Sequence, residues 1–377
     1  MKTKFVRFFI KLFEIILGIL YFFLKMLPIK ENKIVFCSRQ SNILPLDFKL
    51  IQRELLRRNP NLEIINICRR IGEGFTDYVK FAKALINSMY HLATSKVCVI
   101  DSYWPAVSIL NHKDTLTVIQ LWHAIGKIKK SGYQSVGMKS GRKKEYAKLL
   151  HMHENYDYII AGSKAWNKYY CEAFNTSEDK LLNCGLPRID YLINTERENR
   201  KRFFSENPDL KDKKIILYAP TFRRNMKSSG DKIINAFNSD KYTLIIKNHP
   251  GHKMQHNKCK GNEYSFDNWQ TIDLLSVCDI LITDYSAIAL EAIVLNKKTY
   301  FWTYDYDSYL SNNGLNYNLK REVGNNVYCS LNDLINKIDK DEYDFCQAKE
   351  FRDKYLPSEL GISTDTVCNL ILNHISI

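Results

Sequence analysis

The chain has 377 residues, too many for one small domain, and its 45% hydrophobic and 25% charged residues are ordinary for a globular protein. Its 55 Lys and Arg residues against 41 Asp and Glu residues give a net charge of +14, which indicates a polyanionic partner: nucleic acid, an anionic membrane or phosphorylated substrates. Its ten cysteines show no CxxC spacing, which argues against a zinc site or a disulfide framework.

Residues 1–28 are predicted to form an amphipathic, membrane-associated helix. Polar residues recur every three or four positions on one stripe, and Phe, Ile and Leu fill the rest. The longest uncharged run, residues 15–24, is short of the roughly 18 residues that a membrane span needs. We therefore expect the helix to lie in the interface, with its basic stripe facing anionic head groups. A membrane span and a signal peptide are the alternatives, although no A-x-A cleavage site follows.

Apolar strand-like and helix-like segments then alternate, which is typical of a parallel, doubly wound sheet. In the first predicted domain, residues 29–195, the strands are residues 33–38, 62–68, 96–101, 115–121 and 156–161, and the helices are residues 48–58 and 76–92. Residues 180–192 are predicted as a closing strand and turn. No GxGxxG follows the first strand, so the dinucleotide-binding fingerprint is absent.

The alternation restarts after a charged segment, residues 194–213, which is predicted to be a connection. In the second predicted domain, residues 196–377, the strands are residues 214–218, 242–247, 280–283 and 299–303, and the helices are residues 287–295, 331–338 and 364–375. The pattern therefore predicts an α/β protein with two Rossmann-like domains that face a cleft.

A tight polar turn links the strand at residues 280–283 to the helix that follows. Asp284, Tyr285 and Ser286 form this turn, with Ser286 placed as the helix N-cap. Backbone N–H groups and the positive helix end at such a turn suit a phosphate. Glu291, one turn further on, could reach a ribose hydroxyl. The alternative is a capped helix that binds nothing.

The segment QLWHAIGKIKK, residues 120–130, directly follows another predicted strand. His123 stands at the strand's C-terminal end, where a histidine can act as a general base near neutral pH. Around it, Trp122, Gly126, Lys127 and Lys130 are candidates for contacts with an acceptor or a phosphate. An isolated histidine in this position is more often structural than catalytic.

Two further polar segments, YAPTFRR and KNHP, also follow predicted strands. Thr221 offers a hydroxyl, and Arg223 can hold phosphate oxygens in a fork. Lys247 and His249 could neutralise a diphosphate or its leaving group. Each segment alone could be a solvated loop. All four segments stand at C-terminal strand ends, where open α/β sheets bind ligands, so together they predict a phosphate-handling cleft.

Other charged features have simpler interpretations. The DYD sequence at residues 305–307 has too few carboxylates to fill a Mg²⁺ shell, so no protein-held metal and no cofactor are expected. Residues 142–144, with Lys139 and Lys148, are predicted to be a solvated helix face or a contact with anionic lipid. The basic residues lack interleaved aromatic residues, so no nucleic-acid partner is expected.

In order, QLWHAIGKIKKSG, ILYAPTFR, KNHP and CDILITDYSAIALE resemble the CDP-glycerol glycerophosphotransferase family of teichoic acid synthesis. The resemblance extends from Lys33 to Ile375 and implies a GT-B-like fold, peripheral on the cytoplasmic face of the cell membrane. It also implies transfer of a polyol phosphate from CDP-glycerol or CDP-ribitol to a hydroxyl of a lipid-linked acceptor, with release of CMP.

The resemblance implies roles for individual residues. His123 matches the family's base for the acceptor hydroxyl, and His249 matches the histidine that acts on the donor diphosphate. The segment Thr283, Asp284, Tyr285, Ser286 and Ala287, with Glu291, matches the part that holds CDP. Three positions depart from the family pattern: Lys247 replaces an arginine, Ala287 replaces a second serine, and Glu291 replaces an aspartate.

Two other functions remain open on the sequence. A GT-B glycosyltransferase that uses a sugar nucleotide would share the fold and would place Glu291 on the ribose. A non-catalytic, membrane-associated binding protein would explain the basic charge and the N-terminal helix. It would not explain four polar segments at successive strand ends.

Overall fold

The computed structural model describes residues 2–72, 74–221, 230–234, 236–238, 240–247, 263–264, 266 and 268–375. Contacts divide the chain into two compact units. The first unit consists of residues 1–125, 131–190 and 359–377, and the second unit consists of residues 126–130 and 191–358.

Parallel strands form one sheet in each unit. In the first unit they are β1 (Lys33–Ser38), β2 (Glu63–Cys68), β3 (Val97–Ile100), β4 (Thr117–Gln120), β5 (Tyr158–Ala161) and β6 (Leu181–Asn183). In the second unit they are β7 (Lys214–Tyr218), β8 (Tyr242–Ile246), β9 (Glu263–Tyr264), β10 (Ile280–Thr283), β11 (Lys298–Trp302) and β12 (Val327–Tyr328). The prediction of an α/β protein with parallel sheets is confirmed.

The order of the strands creates one switch point in each sheet. The first sheet has the order β2-β1-β3-β4-β5-β6, and the second has the order β12-β11-β10-β7-β8-β9. The direction of strand addition therefore reverses between β1 and β3 and between β7 and β10. Open α/β sheets bind their ligands outside the C-terminal strand ends at such points.

Helices cover the sheets in the described part of the chain. They are α1 (Lys2–Leu24), α2 (Leu46–Arg58), α3 (Phe75–Thr94), α4 (Pro105–Ile109), α5 (Lys144–Leu149), α6 (Asn167–Phe174), α7 (Pro187–Glu206), α8 (Gly230–Ile233), α9 (Thr271–Val277), α10 (Ile288–Val294), α11 (Tyr306–Asn313), α12 (Leu319–Val323), α13 (Leu331–Asp339), α14 (Phe345–Tyr355) and α15 (Ser363–Leu372).

The core of the first unit includes the C-terminal helix of the chain. Val367 and Ile371 of α15 are fully buried in one cluster with Phe36 of β1 and Ile51 of α2. Burying side chains of this size contributes about 1.5–3 kcal/mol each. The predicted second domain, residues 196–377, included the segment that forms α15. In the structure, the apolar face of α15 packs in the first unit.

The prediction that residues 194–213 form a charged connection is wrong for most of that segment, because α7 covers residues 187–206. Pro187 is the first residue of the helix, where its missing N–H is tolerated. Leu192 and Phe203 are buried, and charged residues occupy most of the positions between them. The high charge density of this segment concealed its helical periodicity.

Helix α1 is amphipathic as predicted. Part of its polar stripe faces the protein, whereas the prediction directed the stripe toward anionic head groups. Arg7 forms an ion pair with Glu145 of α5, and Glu14 contacts His151 at 3.2 Å. The apolar side is exposed, with Phe22 and related residues of α1 open to solvent. Arg7 and Glu14 of the polar stripe therefore face the rest of the unit, whereas Lys11 is exposed. Within the described chain, none of the helices meets the length and apolarity needed to cross a bilayer.

Candidate functional site

A buried carboxyl group marks the switch point of the first sheet. Asp101 directly follows β3 and accepts hydrogen bonds from Ser38 Oγ at the end of β1, at 2.6 Å, and from Ser102 Oγ, at 2.9 Å. Burial raises the pKa of Asp101 to about 6, although both hydroxyl donors favour the carboxylate. Two adjacent strand ends are thus joined by polar side chains at this position.

The residue before His123 adopts an unusual backbone conformation. Trp122 has φ of 63°, in the left-handed region that bulky residues rarely occupy. Its N–H donates to the side chain of Gln120 at 2.9 Å, and its ring packs against Phe174 with centroids 5.1 Å apart. These contacts stabilise a sharp turn after β4, and the turn directs His123 back toward the end of β3.

The hydrogen bonds of His123 determine which ring nitrogen carries the proton. His123 Nδ1 lies 3.0 Å from the carbonyl oxygen of Asp101 and 3.3 Å from Gln40 Nε2. The carbonyl oxygen of Asp101 can only accept, so this shorter contact requires a proton on Nδ1, and the Gln40 amide nitrogen, itself a donor, then makes no hydrogen bond to that atom. A neutral ring with this tautomer has its lone pair on Nε2. This tautomer can accept a proton at Nε2, as a general base must.

The loop after His123 approaches β5 closely. A Cβ atom at Gly162 would lie 2.1 Å from the carbonyl oxygen of Ile125. No other residue type fits there without a shift of the backbone. The hydroxyl of Tyr170 also donates to the carbonyl of Ala124 at 3.0 Å. The main chain beyond His123 is therefore held by backbone contacts within the first unit.

The next residues of the QLWHAIGKIKK segment belong to the second unit. Asn316 Nδ2 donates to the carbonyl of Lys127 at 2.6 Å, and the N–H of Lys130 donates to the carbonyl of Gly314 at 3.2 Å. The Lys127 side chain is 2% exposed, and burial holds its pKa well below the usual value. Gly126 is also buried, whereas Lys130 is exposed. Of the two candidate lysines, Lys130 is the one whose side chain reaches solvent.

The switch point of the second sheet is also organised by an aspartate. Asp284 Oδ1 accepts from the N–H of Thr221, at 2.9 Å, and from the N–H of Tyr285, at 2.6 Å. The hydroxyl of Thr283 donates to the carbonyl of Ala219 at 2.7 Å. These bonds join the turn after β10 to the turn after β7. Thr221, Thr283 and Asp284 are therefore brought together at one point, and all three are buried.

The remaining donor-side candidates surround this turn. Tyr285 is fully buried, stacks on Tyr309 with ring centroids 3.9 Å apart, and donates its hydroxyl to Asp305 at 3.1 Å. Ser286 Oγ lies 3.4 Å from the N–H of Ile288, the first residue of α10. The N-cap of α10 is Ala287 and not Ser286, so the prediction was wrong by one position.

The remaining candidates lie further from the turn or are residues that the structure does not describe. Glu291 is in α10 and is 7% exposed. Lys247 follows β8, and its ammonium donates to the carbonyl of Phe266 at 2.8 Å. Arg223 and His249 lie outside the described residues.

Sequence reasoning missed several polar residues of the first unit. Asp101 and Arg39 each follow a buried strand, and this position was a usable signal. Arg142 was interpreted as part of a solvated face or a lipid contact, but its guanidinium lies over the ring of Tyr103, 4.9 Å from the centroid. Arg142 and Tyr103 are far apart in the sequence, and no local pattern connects them.

Comparison with known proteins agrees with the two-sheet fold and its motifs. The family described as CDP-Glycerol:Poly(glycerophosphate) glycerophosphotransferase matches residues 19–373. The chain is 30% identical over 360 residues to the teichoic acid ribitol-phosphate primase of Bacillus spizizenii, with 92% of each chain covered. It is 32% identical over 300 residues to the teichoic acid glycerol-phosphate primase of Bacillus subtilis, with 78% of this chain and 77% of that protein covered.

A solved structure of the wall teichoic acid polymerase TagF has the same fold. Its TM-score is 0.73 at 21% sequence identity, and the superposition covers 98% of each chain. The family match extends over nearly the whole chain and includes the turns at His123 and Asp284. The chain is therefore a member of the CDP-Glycerol:Poly(glycerophosphate) glycerophosphotransferase family.

Proposed function

We propose that this chain transfers a polyol phosphate from CDP-glycerol or CDP-ribitol to a hydroxyl group of a lipid-linked acceptor and releases CMP. The observation that carries the proposal is the 3.0 Å hydrogen bond from His123 Nδ1 to the carbonyl of Asp101. This bond sets the tautomer that accepts a proton at Nε2, and membership of the family supplies the class of reaction.

In the proposed reaction, His123 removes the proton of the acceptor hydroxyl while the oxygen attacks the β-phosphorus of the CDP-polyol. A new P–O bond forms as the bond between the β-phosphorus and the bridging oxygen breaks, and CMP leaves with that electron pair. The proton ends on His123 Nε2. Catalysis of phosphoryl transfer depends mainly on positioning and on stabilisation of charge.

We assign the donor to the second unit, at the end of β7 and β10. Side chains of Thr283, Asp284 and Tyr285 already serve the turn there, so we expect the segment from Thr283 to Ala287 to hold CDP chiefly through its backbone. In this assignment Glu291 contacts the ribose. Thr221 and Lys247 contact the phosphates together with two residues outside the described part of the chain, Arg223 and His249.

Both polyols remain in the proposal because the relatives include proteins named for each. The ribitol-phosphate primase and the glycerol-phosphate primase are 30% and 32% identical to this chain, a difference too small to select one donor. The choice depends on which hydroxyls the transferred group presents to the protein, and substrate competition measures it directly.

The first experiment is CMP release from CDP-glycerol, CDP-ribitol and a set of sugar nucleotides, with a membrane extract as the source of acceptor. We expect CMP from at least one CDP-polyol and none from CDP-polyol without extract. Release only from a sugar nucleotide would identify a glycosyltransferase. No turnover of any donor, without thermal stabilisation by CDP-polyols, would favour a binding protein.

We also propose that α1 attaches the enzyme to the cytoplasmic face of the cell membrane. Phe22 and Phe23 are each 62% exposed, and Met26 is 76% exposed, on a helix whose outer side is almost wholly apolar. Between α1, α4 and α5 lies a cavity of about 1150 Å³ whose lining includes Lys11 and Lys148. These lysines would contact anionic head groups beside the inserted apolar face.

Flotation with lipid vesicles tests this attachment. We expect the protein to float with vesicles that contain phosphatidylglycerol and to float less with pure phosphatidylcholine. The double variant Phe22→Ser, Phe23→Ser should remain in solution. The matched control is Phe345→Ser, because Phe345 of α14 is similarly exposed, at 60%. Equal flotation of the double variant and the wild type would refute a role for the apolar face of α1.

A further inference from the structure

The cavity beside His123 contains two arginines that none of the motifs above includes. We infer that Arg39 and Arg142, held on the ring of Tyr103, bind a phosphate group of the acceptor substrate. This inference rests on the proposed function. It narrows the acceptor to a molecule whose reacting hydroxyl lies close to a phosphate ester.

The cavity lies at the switch point of the first sheet and has a volume of about 210 Å³. Arg39 and Gln40 enter it directly after β1, and Tyr103 enters it after β3. Arg142 comes from the loop before α5. A switch point is the expected ligand position in an open α/β sheet, and here the cavity presents cationic side chains.

The two positive charges of this cavity have one negative charge nearby, that of Asp101, which partly offsets the lowering effect of burial on the pKa of Arg39. The guanidinium carbons of Arg39 and Arg142 lie 5.3 and 4.9 Å from the centroid of the Tyr103 ring. Within the described residues no carboxylate lines the cavity, and neither arginine forms an ion pair. Arg142 Nη1 is buried without a hydrogen-bond partner in that part of the chain. Burial, with Arg142 nearby, lowers the pKa of Arg39. Such an arrangement favours an anionic ligand.

The loop that carries Arg142 is closely packed. A Cβ atom at Gly141 would lie 1.7 Å from the carbonyl oxygen of Ser135, and Gly132 has φ of 55° with Ala173 only 2.1 Å from its virtual Cβ. The N–H of Gly137 donates to the carbonyl of Arg142 at 3.0 Å. These contacts fix the main chain around Arg142, and the contact with the Tyr103 ring orders its side chain, so less conformational entropy is lost when a ligand binds.

The cavity is adjacent to the proposed general base. Gln40 lines it and lies 3.3 Å from His123 Nδ1. Trp122 also lines it, and its ring centroid is 4.1 Å from that of His123. Two guanidinium groups offer forked donors that match the oxygens of a phosphate. His123 itself does not line the cavity, and Gln40 approaches its Nδ1, so the hydroxyl that reaches His123 Nε2 must extend beyond the bound phosphate in the same molecule.

A binding measurement tests the site independently of turnover. The probes are sn-glycerol 3-phosphate, inorganic phosphate and uncharged glycerol, each added at millimolar concentration while the melting temperature is recorded. We expect glycerol 3-phosphate to stabilise the wild type and glycerol to have no effect. Stabilisation should be lost in Arg39→Gln and in Arg142→Gln and kept in Arg53→Gln, a control at an exposed arginine of α2. Arg39→Lys, which keeps the charge but loses the fork, should be intermediate.

The kinetic arm uses CMP release at varied acceptor concentration. We expect the KM for acceptor to rise about 10- to 100-fold in each glutamine variant, since hydrogen bonds between charged groups have this strength, while the KM for the CDP-polyol stays unchanged. Inorganic phosphate should compete with acceptor in the wild type and not in the variants.

The outcomes separate the two proposals. An unchanged acceptor KM together with unchanged stabilisation by glycerol 3-phosphate in both variants would overturn the phosphate site. If inorganic phosphate stabilises the protein and glycerol 3-phosphate does not, the assignment of this site to the acceptor would be overturned. Absence of CMP release by the wild type would overturn the proposed function, and the phosphate site would then be judged by the binding measurement. If a glutamine variant fails to fold, the lysine variant replaces it in both arms.

Discussion

The two switch points each contain a buried aspartate, but the donors that surround the two carboxylates differ. Asp101 accepts from two serine hydroxyls, whereas Asp284 accepts from two backbone N–H groups. Hydroxyls can rotate and also accept, so they tolerate either protonation state of the carboxyl group. Backbone N–H groups only donate, and their positions are determined by the main chain. The first unit therefore retains a titratable group near its candidate base, and the second uses its aspartate to join two turns.

The difference extends to the surroundings of each aspartate. Beside Asp101 the backbone carbonyl orients His123, and the adjacent cavity has two arginines. Around Asp284 the neighbouring side chains are buried and bonded within the turn. In the proposed function, the first unit therefore contacts its ligand through side chains, and the second unit does so mainly through main-chain groups. Four substitutions test whether the two aspartates and their surroundings differ in this way.

The largest effect is expected for His123→Ala. Loss of a general base typically reduces the rate by about 10²- to 10⁴-fold, and we expect a decrease of this size in CMP release. Binding of the CDP-polyol, measured by calorimetry, should be nearly unchanged, because we assign the donor to the second unit. His374→Ala, in the C-terminal part of the first unit, is the control. Loss of donor binding in a folded His123→Ala variant would contradict the division of roles between the units.

The second effect concerns Asp101→Asn and depends on pH. Because its folded-state pKa is raised from 3.8 to about 6, the folded protein holds this proton more tightly than the unfolded chain. The stabilisation is complete below about pH 4 and is lost as the pH rises through 6, a change of about 3 kcal/mol. Urea unfolding from pH 4 to 7 should show this loss in the wild type and not in Asp101→Asn. An equal slope in both proteins would show that Asp101 does not titrate in this range.

A smaller effect is expected for Asp284→Ala. This change leaves the buried N–H groups of Thr221 and Tyr285 without their carboxylate acceptor, at about 1 kcal/mol each. We expect a loss of about 2 kcal/mol in the free energy of unfolding, with little dependence on pH. Asp307→Ala, an exposed position in α11, is the control. Wild-type stability with lost CDP-polyol binding would instead mean that Asp284 contacts the donor directly.

The smallest effect is expected for Gly162→Ala. The added methyl group would meet the carbonyl of Ile125 at 2.1 Å, and such overpacking costs about 1–2 kcal/mol. Because Ile125 is two residues beyond His123, we also expect a severalfold decrease in kcat with little change in the KM for donor. In the control, Gly74→Ala, the new methyl group has its nearest contact at 3.8 Å. If kcat is retained in Gly162→Ala, the position of His123 does not depend on this contact.

Many strands of the two sheets could be predicted because buried parallel strands have a strong local signature. The runs at Lys33–Ser38, Lys214–Tyr218 and Ile280–Thr283 have the predicted bounds, since each is apolar and ends at polar residues. Helix α7 was missed because its charged residues obscured a narrow apolar seam. The position of α15 could not be predicted, since its apolar face would fit either sheet.

The candidate site was predictable only where its residues adjoin a strand. Trp122, His123 and Asp284 could be identified because each of them comes directly after a recognisable strand. Tyr285 was also found, but its role in packing against Tyr309 depends on a residue 24 positions later. The burial of Lys127 was equally invisible, because a lysine beside a glycine resembles a solvated loop.

The α/β class, the amphipathic N-terminal helix and the strand ends where polar residues stand could all be predicted from the sequence. These properties follow from periodicity and composition over a few consecutive residues. The tautomer of His123, the orientation of α1 and the proximity of Arg39 to Arg142 arise only in the folded chain. Each of these depends on groups that are distant in the chain and adjacent in the fold, and a local pattern contains no information about such pairs.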